Sequence, residues 1–100
     1  TASGLAALLV AMDRHPSGAV FRDSLPVAGV DGTLERRLVG VRGQIVAKTG
    51  TLAQASTLAG YVTTRSGDRL AFAILLDNCA AGAREARAAI DAVARALAAQ

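Results

Sequence analysis

The sequence predicts an α+β fold, three antiparallel strands with flanking helices. Three observations point there. An apolar stripe at helical spacing opens the chain, and a second closes it. Between them lie three short runs rich in β-branched and apolar residues. The last two of these runs are separated by Ser66-Gly67-Asp68, a hairpin turn signal. One hundred residues allow one domain at most. The hydrophobic fraction is 52%, but 23 of those residues are alanine, so the core must rely on close packing of small side chains.

The first helix is expected over Gly4 to Asp13, where Leu5, Leu8, Leu9 and Met12 share one face. Ser3 is its candidate N-cap, and His15-Pro16 stops it, because the residue before proline avoids the helical region. Pro16 to Gly43 is full of breakers and predicts irregular chain, with one short helical turn within Thr33 to Leu38. Strands are expected at Gln44 to Thr49, Thr57 to Thr64 and Arg69 to Leu76. The third is apolar on both faces, which predicts cover on both sides. Ala83 to Ala98 is the closing helix, with Ala83, Ala86, Ile90, Val93, Ala94 and Leu97 as its buried stripe. Two evident helices are few for a sheet covered on both faces, and the third strand needs a neighbour on its free edge. The chain therefore reads as part of a larger domain, poorly folded or self-associating alone.

The net charge is +3, yet the ten arginines are scattered and the aromatic residues total three. With no run of like charge and no stacking platform, nucleic-acid binding is not expected. Cys79 is the only cysteine, so neither an internal disulfide nor a multi-cysteine metal site can form; it reads as a small packed residue. His15 reads as part of a helix stop, Asp31-Gly32-Thr33 as turn chemistry, and Tyr61 as sheet packing with a satisfied hydroxyl. Thr1 as an amino-terminal nucleophile is set aside. No apolar run approaches the ~20 residues of a membrane span, and no amino-terminal signal is visible.

Lys48 is the only lysine, and it stands in Ile45-Val46-Ala47-Lys48-Thr49-Gly50-Thr51. A phosphate loop is excluded, since that motif needs glycine directly before the lysine and here Ala47 stands there. The second candidate is the K-T-G element of penicillin-recognising serine acyl enzymes, carried on a strand that lines the cleft. On such a strand Lys48 shares a face with Val46 and Gly50. A lysine ammonium is a compact charge whose donors can serve several oxygens, which arginine's planar fork cannot reproduce.

The wider sequence bears on this choice. "SLPVAGVDGTLERR" (Ser24 to Arg37), "AKTGTLAQASTLAGYV" (Ala47 to Val62) and "LAFAILLDN" (Leu70 to Asn78) follow one another in order. Together they resemble the carboxy-terminal part of D-alanyl-D-alanine carboxypeptidases/endopeptidases, the class C low-molecular-mass penicillin-binding proteins of serine peptidase family S13. The resemblance runs from about Ser3 to about Ala98. It implies that residues 1–100 are the carboxy-terminal segment of a penicillin-recognising serine transpeptidase/β-lactamase-like domain, incomplete alone.

It further implies that Lys48 sits in the hydrogen-bond network of a nucleophilic serine and helps anchor substrate. Thr49 and Gly50 then complete the substrate-binding motif. Thr51 supplies an oxyanion-hole N–H and a hydroxyl for the terminal carboxylate. The implied substrate is a peptidoglycan stem peptide paired to the strand edge, with β-lactam antibiotics as trapping ligands and no metal or cofactor. The implied place is outside the cytoplasmic membrane, in the periplasm or cell-wall space, with membrane association left open. The family also needs Ser-x-x-Lys and Ser-x-Asn. Neither is present: Ile45 lies three residues before the only lysine, and Leu76 lies two before the only asparagine, Asn78. The nucleophile is therefore expected from a missing amino-terminal part of the same protein. The rival reading is a non-catalytic penicillin-binding-like domain that binds peptidoglycan or a protein partner.

Overall fold

The computed structural model describes residues 1–52, 55–77 and 82–100. Asn78 and Cys79 lie outside the described residues. The elements in order are α1 (Ala2–Arg14), α2 (Gly18–Asp23), two 3-10 turns (Gly32–Leu34 and Val39–Val41), β1 (Ile45–Leu52), β2 (Ala55–Thr63), β3 (Arg69–Asp77) and α3 (Ala83–Ala98). The α+β class holds: one antiparallel sheet of order β1-β2-β3 with helices on both faces. Among the described residues no helix is long and apolar enough to cross a membrane.

The helix α1 begins two residues before the expected Gly4 because Thr1, not Ser3, caps it; the Thr1 hydroxyl accepts from the Gly4 N–H at 3.0 Å. Its end is as expected. His15 is extended (φ −74°, ψ 149°), and its Nδ1 accepts from the Ser17 N–H. The six-residue α2 falls where the sequence predicted irregular chain. Its salt bridge from Arg22 to Asp13 ties it to α1, and Asp13 also receives Arg69 of β3 at 3.0 Å.

Side-chain alternation divides the sheet. One face carries Ile45, Ala47, Leu58, Val62 and Phe72, packed against Leu34, Leu38, Ile90, Ala94 and Ala98. The other carries Val46, Ala59, Tyr61, Ala71 and Ala73 against Leu5, Leu9, Phe21 and Leu25. In α3 the buried positions are Ala86, Ile90, Ala94 and Ala98, an i, i+4 row of mostly small residues that lets the helix lie close to the sheet. Val93, expected in that stripe, is 50% exposed because the row takes the contact instead.

At Gly60 the backbone of β1 leaves no room for a side chain on β2. A Cβ there would lie 2.1 Å from the Val46 carbonyl oxygen and 2.6 Å from Ala47 Cα, so only glycine fits. The β2–β3 hairpin turns at Gly67 (φ +94°), with the Thr64 N–H donating to the Asp68 carbonyl. The cover expected on both sides of β3 is incomplete. Phe72 is buried, Leu70, Ile74 and Leu76 are half-buried, and Leu75 is 48% exposed. Within the described sheet β3 is an edge strand.

Candidate active site

The outer edge of β1 is covered for half its length. Val27 bridges Val46, the Ala47 N–H donates to the Pro26 carbonyl at 3.0 Å, and the Ala28 N–H donates to the Ile45 carbonyl at 2.9 Å. Ladder polarity alternates along an antiparallel strand. The backbone groups of Ile45 and Ala47 point outward to this cover, so those of Thr49 and Thr51 point outward as well. Among the described residues no backbone segment pairs with them. The strand thus presents an open edge from Lys48 onward, where the K-T-G lies.

The side chains divide as the alternation dictates. Lys48 pairs with Ala59 and Gly50 with Thr57, on the α1/α2 face of the sheet. Lys48 is exposed, and its ammonium donates to the Thr49 carbonyl oxygen at 2.9 Å, at the open edge. A cavity of 310 Å³ opens beside it, lined by Leu5, Leu9, Phe21 and Leu25 on one side and by Lys48 and Thr57 on the other. Thr49 sends its hydroxyl to the opposite face, where it donates to Thr33 Oγ1 at 2.9 Å. What Thr49 offers the open edge is therefore its backbone. A Cβ at Gly50 would lie 2.5 Å from Thr57 Oγ1, so the glycine leaves room for a hydroxyl of the neighbouring strand. At Thr51 the backbone pairs with Ser56, and the hydroxyl expected to hold a carboxylate lies outside what the structure describes.

The structure thus brings Lys48, Gly50 and the outward backbone of Thr49 and Thr51 together on one open strand edge. Sequence reasoning missed Thr57 there; it read Thr33 as turn chemistry, set near the cleft by the resemblance alone, and gave no contact with Thr49. The β1–β2 register places Thr57 opposite Gly50, and a register drawn from the hydrophobic alternation would have found it. Thr33 lies 16 residues from Thr49 across an irregular segment, and no periodicity signals that contact.

The other polar candidates are engaged structurally. Thr1 caps α1, and Asp31 Oδ1 accepts from the Val27 N–H at 2.7 Å. Tyr61 is buried and donates to the Leu9 carbonyl at 2.6 Å. Burial pushes its phenol above the usual range, helped by Asp13 and opposed by Arg22 and Arg69. Among the described residues no three of His, Cys, Asp and Glu come together as a metal site.

Comparison with known proteins bears on this strand. All of residues 1–100 match the family described as "D-Ala-D-Ala carboxypeptidase 3 (S13) family". The chain belongs to the S13 family. A curated relative, carboxypeptidase DacB of Mycolicibacterium smegmatis, is 42% identical over 79 residues, 73% of this chain and 17% of the relative. Penicillin-binding protein 4 (dacB) from Haemophilus influenzae superposes over the whole chain with a TM-score of 0.83 at 24% identity, which speaks for the fold. A second structure of that protein, complexed with a novel β-lactam, matches 97% of the chain with a TM-score of 0.77 at 27% identity. The chain spans 17% of the length of the curated relative and 24% of each solved chain.

Proposed function

We propose that residues 1–100 are the carboxy-terminal segment of a serine D,D-carboxypeptidase/endopeptidase and supply the K-T-G strand of its active site. The observation that carries the proposal is the open edge of β1: outer cover stops at Ala47, and Lys48 stands over a cavity at the first uncovered residue. The substrate is the D-Ala-D-Ala end of a peptidoglycan stem peptide, laid along β1 as an added strand. The outward N–H and C=O groups of Thr49 and Thr51 are its backbone partners.

A serine from outside these residues attacks the carbonyl of the penultimate D-Ala. The C–N bond breaks, terminal D-Ala leaves with a proton on its amine, and a seryl ester remains for water to cleave. Lys48 holds the seryl oxygen and its partners in position and presents positive charge to the substrate carboxylate. Thr51 N–H stabilises the oxyanion as it forms. β-Lactams react at the same serine and stop at the ester. The reaction takes place outside the cytoplasmic membrane, where peptidoglycan lies.

Two measurements test this. The 100-residue chain alone, incubated with a fluorescent penicillin, should show no covalent adduct by intact mass, since it lacks Ser-x-x-Lys. A stoichiometric adduct on any serine or on Thr1 overturns the assignment of the nucleophile. In the complete protein, Lys48→Ala should slow acylation on the order of 10²-fold, about 2.7 kcal/mol, with the melting temperature little changed because Lys48 is exposed. Lys48→Arg should lose a similar amount, because a planar fork misplaces the charge. Acylation of Lys48→Ala at the unsubstituted rate would make Lys48 a plain strand residue.

A further inference from the structure

The cover on β1 ends at Ala47, so among the described residues the K-T-G stretch lacks an outer neighbour to fix its twist. It does have a support on the face away from Lys48. Thr49 is half-buried there, and its hydroxyl meets Thr33 Oγ1 at 2.9 Å. Thr33 belongs to the 3-10 turn Gly32–Leu34, and that turn is tied down by contacts other than the one to Thr49. Asp31 Oδ1 accepts from the Val27 N–H at 2.7 Å. Leu34 is fully buried in the core. The Gly29 N–H donates to the carbonyls of Leu34 and Arg37 at 2.9 and 3.0 Å. Arg37 makes a two-pronged contact with Asp91 of α3, at 2.6 and 3.2 Å. A continuous set of contacts therefore runs from α3 through Arg37 and the turn to the Thr33 hydroxyl, and ends on the middle residue of the motif.

We propose that Thr33 is a positioning residue: its hydroxyl, by holding Thr49 from behind, sets the direction in which β1 presents Lys48 and the outward Thr49 and Thr51 backbone to a bound peptide. Thr49 has a β-branched side chain, and a fixed hydroxyl selects one of its χ1 rotamers. That rotamer is coupled to the backbone carrying the carbonyl on which the Lys48 ammonium rests. Thr33 never touches substrate and acts only through Thr49. Because Thr33 is exposed, water competes for its hydroxyl, and the effect is smaller than that of losing Lys48.

This inference rests on the acyl-transfer reading above, so its test has one readout that depends on acylation and one that does not. Thr33→Val and Thr33→Ser are made in the complete protein, with Lys48→Ala alongside. Acylation by a fluorescent penicillin, amide hydrogen exchange along β1 and melting temperature are measured on each. Thr33→Val, which keeps the shape and removes the hydroxyl, should slow acylation about 3–10-fold. It should also speed exchange at the Lys48 and Gly50 amides, which face β2. Exchange at Ile45 to Ala47 and the melting temperature should stay as they were. Thr33→Ser should restore both acylation and exchange.

The proposal is overturned if Thr33→Val acylates and exchanges like the unsubstituted protein, or if Thr33→Ser fails as Thr33→Val does. If Lys48→Ala acylates normally while Thr33→Val does not, the lysine assignment fails and the hold on Thr49 stands. If even the unsubstituted protein forms no adduct, the acyl-transfer reading fails and the positioning role with it. Exchange then reports only whether the hold itself exists.

Discussion

Under α3 the sheet is sealed: Leu34, Ile45, Leu58, Val62 and Ile90 are all at 0–1% exposure. Across the sheet Leu9, Leu25, Ala59 and Tyr61 are buried, but Leu8 is 57% and Val20 73% exposed, and Lys48 overlooks a 310 Å³ cavity. The same three strands build both faces. In β1 Ile45 and Ala47 go into the sealed core, while Val46, Lys48 and Gly50 face the looser side. A strand with one face in a close-packed core can hold a charged residue on the other without losing its place, since a one-residue slip would bury Lys48. The sealed face keeps the register, and the open face holds Lys48 and Gly50.

Truncation on the sealed side should cost most. Ile90→Ala removes a side chain at 1% exposure from between α3 and the sheet, where neighbours on every side limit collapse. A loss of about 2–5 kcal/mol is expected, read as a large fall in melting temperature or in soluble yield of the complete protein. A shift no larger than that of an exposed substitution such as Val20→Ala would show that the two faces do not differ as described.

Much of this division was legible in the sequence. The bounds of α3 and the start of β3 were read from periodicity, as was the face shared by Val46, Lys48 and Gly50. Each has a period long enough to register. What was not legible depends on contacts between distant residues. The helix α2 is six residues between breakers, too short for a helical period to show, and it exists because Arg22 and Phe21 find partners on α1 and β2. Val93 and Ala98 were exchanged in the buried stripe because alanine-rich helices carry little contrast between faces. The motif residues could be named from the sequence, whereas the Thr33 contact required the fold.

Gly60→Ala tests whether the two faces are mechanically joined. Its new methyl would meet backbone, the Val46 carbonyl and Ala47 Cα, and backbone cannot rotate aside. A cost of about 1–3 kcal/mol is expected from overpacking. Because β1 must shift to make room, acylation of the complete protein should fall together with the melting temperature. That joint loss separates Gly60→Ala from Lys48→Ala, in which acylation falls and the melting temperature holds. A Gly60→Ala protein that melts lower yet acylates normally would show that β1 can move without disturbing Lys48.

The smallest effect belongs to the looser face. Tyr61 fastens α1 to β2 through its hydroxyl on the Leu9 carbonyl, and its ring meets Phe21 edge-on, with centroids 6.4 Å apart. Tyr61→Phe keeps the ring contact and loses the hydrogen bond. The Leu9 carbonyl lies within α1 and has the helix ladder to serve it, so the cost should be about 0.5–1.5 kcal/mol. pH gives a sharper reading. Burial holds the Tyr61 phenol above its ordinary value of 10.0, so the folded protein binds that proton more tightly than the unfolded chain does. The corresponding stabilisation is whole below pH 10.0 and is lost as pH rises through the folded value. All other side chains are the same in both proteins and cancel in the difference. Melting curves of the two proteins should therefore run parallel through neutral pH and converge above pH 10.0, as the unsubstituted protein loses what the phenylalanine variant never had. Curves that stay parallel into strong alkali would show that the hydroxyl ionises as freely in the fold as out of it.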